Sequence, residues 1–250
     1  MYAVNGRGQP EPGEVLRRFY ATLLESFGPQ GWWPARTRWG VICGAILTQN
    51  TTWRNAALAV KNLRKAGLLT GPALCNVALR DLEQQVRPAG FYRQKARTLQ
   101  GFARWLKQAH GGSLDVLFAQ PAEIARPQLL GRRGIGAETA DAILLYSGRQ
   151  PVFVADAYTR RILSRHGLLP ADADYHSAQE FLHRHLPAEE AMFNEFHALL
   201  VEAAKRYCRR NVARCDACPL GRFLGAPGEA AQIAAAGLSP SILETGALTD

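Results

Sequence analysis

The stretch LLGRRGIGAETADAI, residues 129–143, contains two glycines that flank an isoleucine, Gly134-Ile135-Gly136. A helical pattern of apolar residues begins directly after Gly136, and a short helix is predicted to end near Leu130. Glycine permits positive φ and a close approach of the backbone to a ligand. The N–H groups of the incoming helix face outward at the positive end of its dipole, which favours a phosphate. The stretch predicts a phosphate-binding turn, although a plain tight turn between packed helices has the same pattern.

The charge of the chain is compatible with a polyanionic partner. The 250 residues carry a net charge of +9, and of the 30 basic residues 25 are arginine and five are lysine. Arg132 and Arg133 lie in the turn itself. Basic side chains that neutralise phosphates release counterions, which favours binding to nucleic acid. A basic enzyme without such a partner has a similar composition, so the charge alone leaves both interpretations open.

The sequence contains no membrane or export signal that we recognise. No stretch approaches the roughly 20 apolar residues that span a bilayer. The first 30 residues lack the basic start, apolar run and cleavage site of a signal peptide. We therefore expect no membrane association and a reduced, cytoplasmic location, associated with the nucleoid in a bacterium.

Nearly every periodic segment has the spacing of an amphipathic helix, which predicts an all-α fold of roughly ten helices. Residues 151–154 are predicted to be extended chain, and the tail of residues 225–250 is predicted to be mobile or loosely docked. Examples of the predicted helices are Glu14–Ser26, Trp39–Leu47, Trp53–Lys65, Arg80–Val86, Gln94–His110, Glu138–Tyr146 and Glu189–Tyr207.

A second candidate for function lies in PVFVADAYTRRILSRHG, residues 151–167. Asp156 follows an apolar segment and precedes a basic helix that is predicted to start near Tyr158. Aspartate is a favoured N-cap residue, and a capping role is compatible with a catalytic one. A carboxylate held in this way could stabilise a cationic sugar.

The Gly-Ile-Gly turn with Asp156 eighteen residues after Glu138 resembles the endonuclease III superfamily of helix-hairpin-helix DNA base-excision glycosylases. The resemblance covers about residues 14–224. It implies a two-lobed fold: a six-helix barrel of residues 31–150, with the helix-hairpin-helix at about 121–147, and a second lobe. The second lobe comprises residues 1–30 and 151–224 and includes an iron–sulfur-type C-terminal loop. The active site is expected in the cleft between the lobes.

The resemblance also implies a partner, double-stranded DNA with a damaged base, which a monomer of the protein binds. A monovalent cation at the hairpin is a further expected ligand. The expected contacts of the hairpin with DNA are Gly134, Ile135, Gly136, Thr139, Arg132 and Arg133.

By this resemblance Asp156 stabilises the oxocarbenium-like sugar and helps to position the attacking water, after the target nucleotide has been flipped out of the duplex. Bifunctional members carry a lysine at the position of Glu138, and its amine forms a Schiff base. Glutamate cannot do so, and none of the five lysines lies in the hairpin. We expect monofunctional hydrolysis. Glu138 is either a first-turn acid that favours the helix dipole or a residue of the pocket.

The segment GPQGWWPARTRWGVICGAILTQNTTWRNA, residues 28–56, resembles the 3-methyladenine glycosylase-like branch of that superfamily. The resemblance implies that Trp32, Trp33 and Trp53 stack on the flipped base, and electron-rich rings suit a cationic alkylated purine. These tryptophans could equally be core residues. Gln49 and Asn50 are expected to enter the gap in the duplex.

Three lysine and arginine positions are further candidates by the same resemblance. Lys205 could face the base pocket or could be an ordinary exposed helix lysine. Lys95 and Arg97, in a segment that resembles another part of the family, are expected to contact the DNA backbone.

The segment CRRNVARCDACPLGRFL, residues 208–224, places Cys208, Cys215 and Cys218 at spacings of six and two residues. Endonuclease III-like proteins often add a fourth cysteine and bind a 4Fe–4S cluster, but here that position is Leu224. Zinc is disfavoured because no histidine is near in sequence. The cysteines could bind a cluster with an outside ligand, bind a labile or three-iron form, or be relics. We expect cluster binding.

The favoured function is a monofunctional DNA glycosylase that removes an alkylated purine in base excision repair. One alternative is an endonuclease III-like glycosylase with AP lyase activity on oxidised pyrimidines or mismatched thymine. Others are a non-catalytic DNA-damage-binding protein and a metal-handling protein with incidental basic charge.

Overall fold

The computed structural model describes residues 11–32 and 37–224. These residues contain no β-strand, which confirms the all-α prediction, and none of their helices is long and apolar enough to cross a membrane. Twelve α-helices lie in this part of the chain: α1 (Pro12–Phe27), α2 (Arg38–Thr48), α3 (Trp53–Lys65), α4 (Gly71–Asn76), α5 (Leu79–Val86), α6 (Tyr92–His110), α7 (Leu114–Phe118), α8 (Ala122–Leu130), α9 (Ala137–Ala142), α10 (Ala157–Arg165), α11 (Tyr175–His185) and α12 (Glu190–Arg206).

The chain forms two compact units. The first unit comprises residues 1–30, 155–188 and 195–250, and the second unit comprises residues 31–154 and 189–194. Helix α12 therefore begins in the second unit and continues in the first.

The core of the second unit forms around helix α2, whose residues from Gly40 to Leu47 are all buried. Helix α3 packs on α2, and α6 packs on α4 and α5. Threonine and serine side chains cap the helices by accepting backbone N–H bonds, as at Thr52 for α3 and Ser113 for α7. Such caps satisfy N–H groups that have no partner within the helix.

Helix α4 begins at Gly71-Pro72, which the sequence pattern marks as a break. Proline is tolerated in the first helical turn because its missing N–H has no helical partner there, and Thr70 caps the turn by accepting from the Ala73 N–H. A Cβ on Gly71 would lie 2.7 Å from Cζ2 of Trp39. The glycine therefore permits close packing in addition to starting a helix.

The first unit contains α1, α10, α11 and most of α12. Phe19 of α1 is fully buried and contacts the rings of His166 and Phe223, with centroids 4.8 and 5.1 Å apart. Residues 151–154, predicted to be extended chain, form neither helix nor strand, and Phe153 within them is fully buried.

Candidate DNA interface and active site

The predicted hairpin is formed by α8 and α9, joined by residues 131–136. Gly134 has φ +84°, and a Cβ there would lie 2.3 Å from the Thr98 hydroxyl oxygen, so this position requires glycine. Gly136 is extended, with φ −91° and ψ 180°, and has open space around the position of a Cβ. Gly136 therefore leaves the backbone accessible at the start of α9 instead of supplying a special conformation.

A buried ion pair clamps the two hairpin helices together. Asp141 of α9 is fully buried, and its two carboxylate oxygens accept from the guanidinium of Arg126 in α8 at 2.6 and 3.0 Å. After α9 the chain continues as a π-helical turn, Ile143–Ser147. Such turns are uncommon and often occur near functional sites.

Two of the expected DNA contacts have interior side chains. Ile135 is 4% exposed, and its N–H donates to the Arg132 carbonyl at 3.0 Å. Thr139 is buried, and its hydroxyl accepts from Nε2 of Gln49 at 2.7 Å. The same Gln49 nitrogen donates to the Gly134 carbonyl at 2.9 Å. These side chains therefore stabilise the hairpin from within, and a contact of these two residues with DNA stays a prediction.

Other residues of the hairpin, together with Asn50, form the exposed surface of this region. Arg133, Gly136, Glu138 and Asn50 are exposed, and Asn50 adopts φ +50°. Arg132 is half-buried, with its guanidinium 5.1 Å from the centroid of the Trp105 ring.

Phe91, which sequence reasoning missed, is 63% exposed and adopts φ +44° directly before α6. A bulky residue with positive φ is strained, and such strain is often kept at functional positions. The available signal was a large apolar residue placed between Gly90 and a helix.

The expectation that Lys95 contacts the DNA backbone is wrong. Lys95 is 4% exposed, and its ammonium donates to the carbonyls of Leu47 and Ala89 at 3.0 and 2.7 Å. Burial lowers the pKa of Lys95. The lysine joins the end of α2, which precedes Gln49, to the segment that precedes Phe91. Arg97 is exposed.

The tryptophan positions are only partly described. Trp32 and Trp53, the latter at the first position of α3, are half-buried. Trp33 lies outside the described residues, as does the tail of residues 225–250.

Asp156, in the first unit, caps α10 as predicted. Its Oδ1 accepts from the Thr159 N–H at 2.8 Å, and its Oδ2 lies 3.5 Å from Nε2 of His197. The residue is only 8% exposed. Burial by itself would raise the pKa of Asp156, but the contact with His197 and the bond from Thr159 outweigh burial and lower it. The side chain is therefore a fixed, ionised carboxylate.

His197 was not found from sequence, because it lies 41 residues beyond Asp156 within the regular pattern of α12. Lys205, further along the same helix, is exposed.

The three C-terminal cysteines line one pocket of the first unit, together with Arg165, His166 and Leu224. Two arginines of α10 hold the loop: Arg165 donates to the Cys208 sulfur at 3.1 Å, and Arg161 donates to the Cys208 carbonyl at 2.8 Å. Burial raises the pKa of Cys215 and Cys218.

The turn that follows the cysteines is closely packed against them. The Gly221 N–H donates to the Cys218 carbonyl at 2.8 Å, and a Cβ on Gly221 would lie 2.0 Å from the Cys215 carbonyl oxygen. As they stand, no three His, Cys, Asp or Glu side chains in the described part of the chain form a ready-made metal-binding group.

His166 contradicts the reason given from sequence for disfavouring zinc. The fold brings this histidine to the cysteine pocket although it lies 42 residues before Cys208. Burial lowers the pKa of His166 to about 4, so the ring is neutral at neutral pH.

The helix-hairpin-helix and the enclosed Asp156 agree with the resemblance seen in the sequence, and the comparisons with known proteins extend it. Residues 43–188 match the family described as the HhH-GPD superfamily base excision DNA repair protein. The chain belongs to this superfamily and is one of its DNA glycosylases.

Two proteins illustrate the similarity. A putative DNA repair glycosylase of Methanocaldococcus jannaschii is 40% identical over 84% of this chain and 96% of its own length. The crystal structure of H. pylori 3-methyladenine DNA glycosylase, bound to 1,N6-ethenoadenine, superposes with a TM-score of 0.69. It is 27% identical and covers 78% of this chain and 98% of that chain.

A complex of endonuclease III with DNA superposes with a TM-score of 0.72 over 84% of this chain and 94% of that chain. Its sequence is 22% identical, so this likeness supports the fold alone.

Proposed function

We propose that this glycosylase is monofunctional, that it removes an alkylated purine from double-stranded DNA, and that water is the nucleophile. The observation that carries the proposal is Asp156, a buried carboxylate held by the Thr159 N–H and by His197. A negative charge held in a dry, fixed site stabilises a developing positive charge far better than a mobile solvated one. Asp156 would stabilise the cationic sugar as the base departs and would orient the attacking water.

The positions of the five lysines support a hydrolytic product, an abasic site in an intact strand. The hairpin position from which bifunctional relatives would supply an amine is Glu138, which is exposed. Lys95 is buried, and its ammonium donates hydrogen bonds to two backbone carbonyls. The other four, Lys61, Lys65, Lys107 and Lys205, are exposed on helices outside the hairpin.

The preference for an alkylated purine is supported by similarity. The H. pylori enzyme, named for 3-methyladenine, has 1,N6-ethenoadenine bound in its structure. Trp32, Trp33 and Trp53 would supply rings for stacking on such a base, which is most favourable when the base is cationic.

For the DNA contact itself we propose the exposed residues of the second unit. Backbone N–H groups after Gly136 would bind a phosphate with help from Arg133, while Asn50 and Phe91 would enter the duplex where the base has left it. Gln49 could take part only by releasing its bonds to Gly134 and Thr139.

We further propose that Cys208, Cys215 and Cys218 hold a 4Fe–4S cluster. The three cysteines line one pocket, and the Arg165 guanidinium already donates to the Cys208 sulfur. Such donors stabilise cluster-bound thiolates. The cluster would supply a structural cross-link, because hydrolysis of a glycosidic bond needs no redox step.

The test is a panel of duplexes, each with one alkylated, oxidised, deaminated or mismatched base, assayed for released free base and for strand scission. We expect free 3-methyladenine or 1,N6-ethenoadenine with the strand left intact. Release confined to oxidised pyrimidines, uracil or mismatched thymine would refute the substrate class. Binding without any base release would favour the non-catalytic alternative.

A further inference from the structure

The cysteine pocket contains a fourth potential ligand. His166 lines the same pocket as the three cysteines. Its Nδ1 atom is buried and has no hydrogen-bond partner among the described residues. A buried polar atom without a partner is unfavourable, and a bound ion is one of the ways in which a native fold satisfies such an atom.

The chain offers no other histidine or cysteine for this role. All five cysteines and six histidines lie in the described residues. Cys43 and Cys75 belong to the second unit, and His166 is the one histidine of the described chain that lines the pocket. The position at which relatives often carry a fourth cysteine is Leu224, a pocket residue with no donor atom.

The surroundings of His166 fix its position. It follows the last residue of α10, and its ring lies edge-on against the buried ring of Phe19, with centroids 4.8 Å apart. The preceding residue, Arg165, already donates to the Cys208 sulfur at 3.1 Å. The end of α10 therefore brings two consecutive side chains to the cysteine loop.

We infer that His166 is the fourth protein ligand of this pocket, which makes Cys208, Cys215, Cys218 and His166 a Cys₃His metal site. Imidazole nitrogen and thiolate together bind zinc in structural sites, and imidazole also replaces thiolate as a ligand of some iron–sulfur clusters. The choice of a 4Fe–4S cluster rests on the function proposed above, but the four-ligand set does not depend on it.

The experiment uses the full-length chain, purified anaerobically and reconstituted in parallel with iron and sulfide or with zinc. Metal and sulfide per chain are measured for wild type, His166→Ala, His166→Cys and the control His176→Ala, whose histidine is exposed on α11. Wild type labelled with ¹⁵N-histidine is examined by pulsed EPR after reduction of the cluster, or by NMR of the zinc form.

We expect His166→Ala to lose most of its metal or to retain a three-iron form, and His176→Ala to match wild type. His166→Cys, and Leu224→Cys added to His166→Ala, should restore metal content without the ¹⁵N coupling that wild type shows. If His166→Ala does not fold, His166→Cys and the ¹⁵N coupling of wild type still decide the question.

Unchanged metal content and spectrum in His166→Ala, absence of histidine coupling in metal-loaded wild type, or failure of wild type to bind either metal would each overturn the inference. Zinc bound in a His166-dependent way, with no iron and sulfide, would support the ligand set and refute only the proposed cluster. Base release, assayed in the same preparations, reports on the glycosylase proposal separately.

Discussion

Among the carboxylates that lie at the beginnings of helices, Glu138 and Asp156 have different surroundings. Glu138, in the first turn of α9, is exposed. Asp156, the cap of α10, is 8% exposed and is held by Thr159 and His197. Both favour a helix dipole, but Asp156 is enclosed where the local dielectric is low, whereas Glu138 faces solvent. The difference indicates that enclosure, beyond position at a helix end, distinguishes a candidate catalytic carboxylate from a surface acid.

The largest effect should come from removing the charge of Asp156, and removing the charge of Glu138 is the matched control. Asp156→Asn preserves the shape but removes the negative charge from the enclosed site, so we expect single-turnover base release to fall by about 10³-fold. Glu138→Gln removes a screened surface charge and should change the rate less than about fivefold. Binding to a duplex with an abasic-site analogue should persist in both variants. Equal losses in the two variants would remove the proposed distinction.

A third carboxylate, Asp141, is also buried, but we expect it to contribute to the stability of the hairpin and not to catalysis. Asp141→Asn breaks the clamp to Arg126, and because Arg126 is 25% exposed we expect the lower end of the range for buried pairs, about 3 kcal/mol. The tryptophans of the described residues, Trp32, Trp39, Trp53 and Trp105, all lie in the second unit, so tryptophan fluorescence during urea unfolding measures this change.

The matched control for the clamp is Asp115→Asn, which removes the partner of Arg38 from a site where the Asp115 side chain is 88% exposed. A surface pair of this kind contributes less than about 1 kcal/mol. If the two variants shift the unfolding midpoint equally, the Arg126–Asp141 pair is not a clamp.

A substitution of His197 tests whether its contact with Asp156 keeps the pKa of that carboxylate low. In His197→Gln the burial that raises the pKa of Asp156 is no longer outweighed by the His197 contact. Base release requires the ionised carboxylate and is lost as the pH falls through its pKa. The acid limb of the pH–rate profile should therefore move to higher pH, with a rate loss at neutral pH of about tenfold.

The profile of single-turnover rates between about pH 4 and 8 measures the shift, with the exposed His176→Gln as the control. A lower rate with an unmoved acid limb would mean that His197 acts through packing alone. The same sign applies to stability: a lowered folded-state pKa stabilises the fold above the unfolded-state pKa, and the effect is lost on acidification.

The smallest expected effects, on stability and on DNA binding, distinguish the role of Gln49 from that of Asn50. Gln49→Ala removes both bonds to the hairpin and should lower the stability of the second unit by about 1 kcal/mol. Asn50→Gly relieves a positive φ and should leave stability unchanged or slightly higher, while it weakens binding to a duplex with an abasic-site analogue. Loss of binding but not stability in Gln49→Ala would assign the duplex contact to Gln49 instead.

Local patterns predicted much of this structure. The helix at Trp53–Lys65 coincides with α3, and Asp156 caps α10 because the apolar run, the acid and the basic helix are adjacent in sequence. Helices α4 and α7 were missed because each has six or fewer residues, too few to show a period.

The contacts between distant segments could not be predicted. The bond from Gln49 to Thr139 joins residues 90 positions apart, and the partners of Asp156 and of the cysteine loop come from other helices. A motif gives residue types and spacing but not burial, so Lys95, an interior residue, was predicted to contact the DNA backbone.

The most direct test of the central claim, that water and not an enzyme amine attacks the sugar, is borohydride trapping on a duplex whose damaged base the wild type releases. Borohydride reduces a Schiff base to a stable covalent bond, whereas hydrolysis leaves nothing to trap. We predict that wild type releases the base with an intact strand and no covalent complex, and that Glu138→Lys is trapped. Trapping of wild type, with strand scission at the abasic site, would contradict the account.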